Sequence, residues 1–192
     1  MIRSLLRNGF SIDTLIGLCA SAFVVFCTLP IHEYAHALVA TKLGDDTPRL
    51  SGRLTLNPLA HIDIMGAVMI LLVGFGYAKA VPVNLRNFKN PKAGMALTAA
   101  AGPASNLIMS VIFILLSNIS FVIYCKTNDS IVARVAFLFF FYAAMINISL
   151  AVFNLIPIPP LDGSRIVGLL IPNKIYYQIM KYERYIIIVV FV

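Results

Sequence analysis

The stretch that decides the fold is Thr14 to Thr41, TLIGLCASAFVVFCTLPIHEYAHALVAT. It carries no Lys or Arg, and it exceeds the roughly 20 apolar residues that a helix needs to cross bilayer hydrocarbon. The same run contains His32, Glu33 and His36. Ionisable side chains are costly in hydrocarbon, so their presence calls for a pairing, a water-filled cavity or a metal. His32-Glu33-Tyr34-Ala35-His36 is HExxH, and helical spacing puts its imidazoles one turn apart on one face, able to share a zinc ion. Glu33 sits beside them, where a carboxylate can take a proton from a water activated at the metal. With three histidines and two glutamates in the whole chain, chance is a poor explanation for the motif. A purely structural use, two histidines and a carboxylate hydrogen-bonded inside a bundle, is an expensive way to pack.

Working outward, the 192 residues are 60% hydrophobic and only 12% charged, with a mean hydropathy of +0.90. Such a composition excludes a disordered chain and argues against an ordinary soluble domain. No polar linker divides the chain, so residues 1–192 read as one domain. The run Ala93 to Cys125 is longer than one upright helix requires, leaving room for tilt and a cap near Asn118 to Ser120. Val135 to Pro160 predicts another span, closed by the prolines of Asn154-Leu155-Ile156-Pro157-Ile158-Pro159-Pro160. Ile64 to Ala78 is short and interrupted by Gly66, Gly74 and Gly76, which predicts a re-entrant segment. Gly52 to Pro58 reads as a short alternating strand and turn ahead of His61-Ile62-Asp63. Asn173 to Tyr185 reads as an amphipathic interfacial helix, and Ile186 to Val192 is too short to cross. Arg3 and Arg7 before an apolar stretch imitate a signal peptide, but the run continues past any plausible cleavage point near Ala20 to Ala22. The expected fold is an all-α polytopic membrane protein, its transmembrane helices around an intramembrane zinc site, with a short re-entrant or β-containing insertion between the first and next full span.

The net charge of +7 would suggest nucleic acid in a soluble protein. Here Lys79, Arg86, Lys89 and Lys92 cluster between apolar runs with no acid among them, the pattern of cytoplasmic loops beside anionic lipid. No nucleic-acid motif competes with that reading. Cys19, Cys27 and Cys125 are odd in number, form no CxxC and lie in or next to apolar runs, so they read as small hydrophobes rather than a disulfide or thiolate site.

A catalytic zinc takes three protein ligands and leaves one position exchangeable. His61, Asp63, Asp162, Asp45, Asp46 and Asp129 are all candidates for the third. Asp162 is best placed, because it follows the last span in Pro159-Pro160-Leu161-Asp162-Gly163, where Gly163 frees the backbone to turn; its ordinary alternative is to cap a helix starting near Ser164. Bringing the end of the first span to Asp162 requires an even number of crossings, or none, between Thr41 and Ala93, which agrees with a run at 64–78 that dips in and returns. The basic loops then share one face with the zinc site and make it cytoplasmic, with Arg3 and Arg7 outside as a mild exception. Asn106, in Ala101-Gly102-Pro103-Ala104-Ser105-Asn106, could donate to a developing oxyanion or serve as helix-helix glue, and the small residues before it permit close helix approach. Asn154 could line the same cleft or satisfy a carbonyl freed by a proline.

On these motifs the chain resembles the short, PDZ-less branch of the site-2 protease family of intramembrane zinc metalloproteases. HEYAH at 32–36 resembles the family's HExxH helix, and Asn154 to Gly163 its NxxPxPxxDG segment. Gly102-Pro103 with Asn106 matches GPxxN, Gly44-Asp45 and Gly52 through Asp63 resemble GD and GRLTLNPxxHID, and Gly76 to Asn84 resembles GWAKPVPVN. Tyr77, Ala80 and Ile64 depart from that pattern at positions where the branch commonly has Trp, Pro and Pro. The resemblance implies His32, His36 and Asp162 as ligands of one Zn2+ per chain, Glu33 as general base, and transmembrane proteins as substrates. The rivals are a non-catalytic metal-binding scaffold and a metal transporter. Transport is disfavoured because Leu107 to Leu116 and Val135 to Phe141 offer nearly no ligands on the opposite side.

Overall fold

The computed structural model of the chain describes residues 11–61, 79–127, 130–172, 175, 178 and 182. Among these, every regular element is helical. Helix α1 (Ile12–Phe23) is opened by Ser11, whose Oγ accepts from the Thr14 amide at 3.2 Å. It runs through a π-turn, Val24–Thr28, into α2 (Leu29–Lys42), which carries HExxH. After the one-turn helices α3 (Thr47–Leu50) and α4 (Pro58–His61) and a 3-10 turn at Leu85–Asn87 come α5 (Pro91–Lys126), α6 (Ile131–Asn154) and α7 (Asp162–Val167).

Three stretches are long and apolar enough to cross a membrane: Ile12–Lys42, Pro91–Lys126 and Ile131–Asn154. At about 1.5 Å per residue each exceeds the roughly 30 Å of bilayer hydrocarbon. The chain is a multi-pass membrane protein, and the faces of α5 show how its side chains are sorted. Ile108, Val111, Leu115, Ile119 and Val122 recur at helical spacing and are exposed, whereas Thr98, Asn106, Ser110, Ser117 and Ser120 are buried. That is the reverse of a water-soluble helix: aliphatic side chains meet lipid, and small polar ones turn inward where helices approach closely.

The described chain forms two compact units, one drawn from Met1–Ile31, Thr55–Ala80 and Asn106–Ser149, the other from His32–Leu54, Val81–Ser105 and Leu150–Val192. In the first, α1 meets the second half of α5 and the first half of α6 through aromatic edges. Phe23 lies 5.8 Å from Phe113 and 5.4 Å from Phe139, both edge-on. Ser117 Oγ donates to the Phe137 carbonyl, and Arg134 pairs with Asp13 at 3.2 Å. The second unit contains α2, the opening turns of α5 and α7.

The π-turn escapes a periodicity reading but has a local cause. Pro30 lacks an amide hydrogen, and its ring would press on the carbonyl four residues back in a continuous α-helix. Instead the Leu29 amide reaches the Val24 carbonyl, widening the turn, and Thr28 Oγ1 donates to the same oxygen at 3.0 Å. The extra residue shifts the phase of everything downstream by about 100°.

Three expectations are corrected. Residues 52–58 hold turns and the start of α4 rather than a strand. Gly52 has φ +68°, and Asn57 Oδ1 accepts from the Leu59 amide at 3.1 Å, so local side-chain bonds capture the backbone. No cap interrupts α5 near Asn118 to Ser120, where Ser120 Oγ donates to its own helix at Leu116. Asn154 donates to the Leu150 carbonyl one turn back rather than to a carbonyl freed by proline. The predicted re-entrant run 64–78, the interfacial helix 173–185 with the run 186–192, Arg3, Arg7, Asp63 and Asp129 all lie outside the described residues.

Candidate metal centre

The second unit brings His32, His36 and Asp162 together. Their ligand atoms all lie within 4.8 Å of one another. Nε2 of His32 and Nε2 of His36 are 3.0 Å apart, and Asp162 Oδ2 is 3.4 Å from the first and 3.3 Å from the second. Both histidines are buried. Three steps in the chain produce this convergence.

The first is α2, whose one-turn spacing stacks the imidazoles edge to face, with ring centres 4.6 Å apart. The second is α5. His36 Nδ1 donates to the Thr98 carbonyl at 2.7 Å, a bond that requires the proton on Nδ1, so that in the neutral ring the lone pair is on Nε2, the nitrogen facing Asp162. One turn further, Gly102 meets both rings: a Cβ there would stand 2.6 Å from His32 Cε1 and closer still to His36 Nε2. The small-residue signal at 101–105 is thereby explained, since only glycine admits the imidazoles against the helix. Pro103 stays inside α5, and Ser105 Oγ donates to the Gly102 carbonyl at 2.7 Å.

The third step is the return from α6. Asp162 is the first residue of α7, but no side-chain bond caps that helix; Leu161 occupies the cap position and its carbonyl accepts from the Ser164 amide at 3.1 Å. The carboxylate is turned to the histidines instead. Gly163 has no left-handed backbone, so its expected role as a free hinge is replaced by close approach. A Cβ at 163 would run into the Leu155 carbonyl and stand 2.5 Å from the Ile156 oxygen.

A cation fits this donor set. Among the described residues Asp162 Oδ2 is buried with no hydrogen-bond partner, and it converges with two imidazole nitrogens, the harder and borderline ligands that suit zinc. Glu33, 7% exposed on the same turn of α2, makes no hydrogen bond or ion pair among the described residues. Asn106 is buried, with both amide atoms unpartnered among those residues, and follows Gly102 by one turn of α5.

Of the other candidate ligands, the three among the described residues are engaged elsewhere. His61 is fully buried, its Nε2 donating to the Thr55 carbonyl at 2.7 Å. Asp46 forms an exposed pair with Arg49 at 3.6 Å. Asp45 is buried among hydrogen-bond donors. The Thr98 carbonyl was beyond sequence reasoning, because a main-chain acceptor leaves no mark on residue type.

Comparison with known proteins agrees with this geometry. The model of peptidase family M50 matches residues 20–192. YwhC of Bacillus subtilis, named as a zinc metalloprotease, is 43% identical over 158 residues, which cover 81% of this chain and 70% of that protein. Rip2 of Mycolicibacterium smegmatis, similarly named, is 31% identical over 141 residues, 71% of this chain and 51% of its own length. Rip3 of Mycobacterium tuberculosis is 30% identical over 146 residues, 76% of this chain and 29% of that protein. The chain therefore spans about half or less of the mycobacterial relatives. No solved structure gives a significant match. With a family model covering most of its length and the HExxH helix facing Asp162 in its fold, the chain belongs to peptidase family M50, the site-2 protease family of zinc metalloproteases.

Proposed function

We propose that this chain, as a single domain over 1–192, is a zinc-dependent intramembrane endopeptidase that hydrolyses a peptide bond in or near the transmembrane segment of a membrane protein. The observation that carries the reading is the convergence of two imidazole nitrogens on an unpartnered, buried carboxylate oxygen within a multi-pass membrane protein. His32, His36 and Asp162 hold one Zn2+. When bound, zinc supplies a Lewis acid that polarises a carbonyl and lowers the pKa of a water.

The remaining steps belong to the chain's own groups. Glu33, with no competing partner among the described residues, takes a proton from the attacking water and passes it to the leaving amine nitrogen. The Asn106 amide donates to the oxygen on which negative charge develops. Thr98 holds the His36 ring in the tautomer that keeps Nε2 available. The substrate must expose its scissile bond, so a transmembrane segment carrying helix-breaking residues is preferred over a fully hydrogen-bonded helix. The basic loops support a site nearer the cytoplasmic face of the cell membrane, by the positive-inside rule.

The test compares wild type with E33Q in detergent or liposomes, against a panel of single-pass membrane substrates, with bound zinc measured in both. The expected result is cleavage by wild type only and about one zinc per chain in each. Equal cleavage by the two proteins would remove Glu33 as the base. Zinc near one equivalent without cleavage of any substrate would favour the scaffold reading.

A further inference from the structure

We propose that Asp45 is a positioning residue for the metal centre, a buried rivet that sets the register of α2 against α5. The inference rests on the reading of His32, His36 and Asp162 as zinc ligands. Asp45 is fully buried and lies three residues beyond the end of α2. Its main chain is tied to that helix. The Gly44 amide donates to the Thr41 carbonyl and the Asp45 amide to the Ala40 carbonyl at 3.0 Å, with Gly44 at φ +106°, so the helix is closed by a left-handed residue.

The side chain grips the opposite loop. Oδ2 accepts from the Asn84 amide at 2.7 Å, and Oδ1 from Asn87 Nδ2 at 2.7 Å. Oδ1 also accepts from the Thr47 amide at 3.1 Å and the Thr47 hydroxyl at 2.5 Å. The two oxygens thus take four hydrogen bonds, which only an ionised carboxylate can do; an asparagine would turn its NH2 toward one of these donors. The gripped loop is in turn fixed to α5. Phe88 is buried with its ring against Gly94, where a Cβ would stand 2.5 Å from Cγ, and Asn90 Oδ1 accepts from the Ala93 amide at 3.2 Å.

Asp45 therefore joins the C-terminal end of α2 to the N-terminal end of α5. The His36 to Thr98 bond lies about 9 Å back along α2 and about 10 Å forward along α5, at 1.5 Å per residue. Two fixed points along one helix pair prevent axial sliding. A slide would take the Thr98 carbonyl off His36 Nδ1 and move Gly102 from under the rings.

The experiment measures zinc affinity of the full chain in detergent by chelator competition, well below its melting temperature, for wild type, D45N, N87A and the exchange variant D45N/N87D. D45N is expected to weaken zinc binding about tenfold, the lower end of what loss of an outer-sphere partner costs. N87A, which removes one donor of four, should give a smaller loss and keeps the test readable if D45N does not fold. The exchange variant remakes only the hydrogen bond between positions 45 and 87 and leaves an amide facing the Thr47 and Asn84 donors, so it should recover part of the affinity at most. A carboxylate that only adds stability would lower the melting temperature while leaving zinc affinity of the folded chain unchanged. Unchanged affinity in D45N and N87A overturns the inference alone, whereas a wild-type chain that binds no zinc overturns the metal-centre reading and this inference with it.

Discussion

At the scale of single residues, the proposed metal centre depends as much on an absent side chain as on its candidate ligands. His32 and His36 are useful only because Gly102 leaves room for both rings against α5. Alanine is the better helix former by about 1 kcal/mol, so propensity alone would make G102A stabilising. The methyl group nevertheless falls inside van der Waals distance of both imidazoles. G102A should therefore retain its helical content by circular dichroism yet lose zinc affinity by about tenfold or more, as overpacking of about 1–3 kcal/mol implies, which chelator competition would read directly. Undiminished affinity would show that the rings can shift without leaving the metal.

At the scale of elements, the loops at the end of α2 and the start of α5 are held by a charged group, so their stability should follow pH. Burial works against ionisation of Asp45, but the Thr47 hydroxyl, the Asn84 amide and the Asn87 side chain outweigh it and hold the carboxyl below its ordinary value. A depressed folded-state pKa contributes stability that is present above the unfolded value and lost as pH falls through the folded one. The stability difference between wild type and D45N should thus be constant above about pH 4 and shrink below it. Thermal melting of both proteins across that range checks the sign, and a difference that grows in acid would contradict the hydrogen-bonding pattern. The π-turn at Val24–Thr28 works at the same scale. It lets Pro30 sit inside a continuous span and sets the phase at which HExxH leaves it.

For the whole molecule, the question is which way the spans face. α2 ends at Lys42 and α5 begins at Pro91, while α5 ends at Lys126 and α6 begins at Ile131. Exposed cations Lys42, Arg49, Arg86 and Lys89 accompany the first pair of ends, and the orientation proposed on the positive-inside rule puts that face in the cytoplasm. In a cysteine-free background, K42C and K89C should react with a membrane-impermeant maleimide only in inverted vesicles, and K126C and S130C only in right-side-out ones. Labelling of all four from one side would contradict the hairpin of α5 and α6 as a pair of full crossings. The opposite assignment of sides would leave the site chemistry intact and reverse its compartment.

Much of this was legible along the chain, because burial in lipid and helical spacing are written in residue type. The apolar runs at 14–41, 93–125 and 135–160 correspond to the three long helices, with ends displaced by a few residues where caps and prolines act. HExxH announced two candidate ligands because its spacing and the helix repeat coincide, and the proline-rich return to Asp162 made that residue the best placed of six. Among the four of these that the described residues include, the tertiary structure alone set Asp162 apart, by engaging His61, Asp45 and Asp46 elsewhere and turning Asp162 toward the imidazoles. It alone supplied the Thr98 carbonyl to His36 and the Asp45 clamp, because main-chain acceptors and contacts 39 to 62 residues apart depend on which helices meet. Residue type states what a side chain can bind, and only packing determines what stands close enough to be bound.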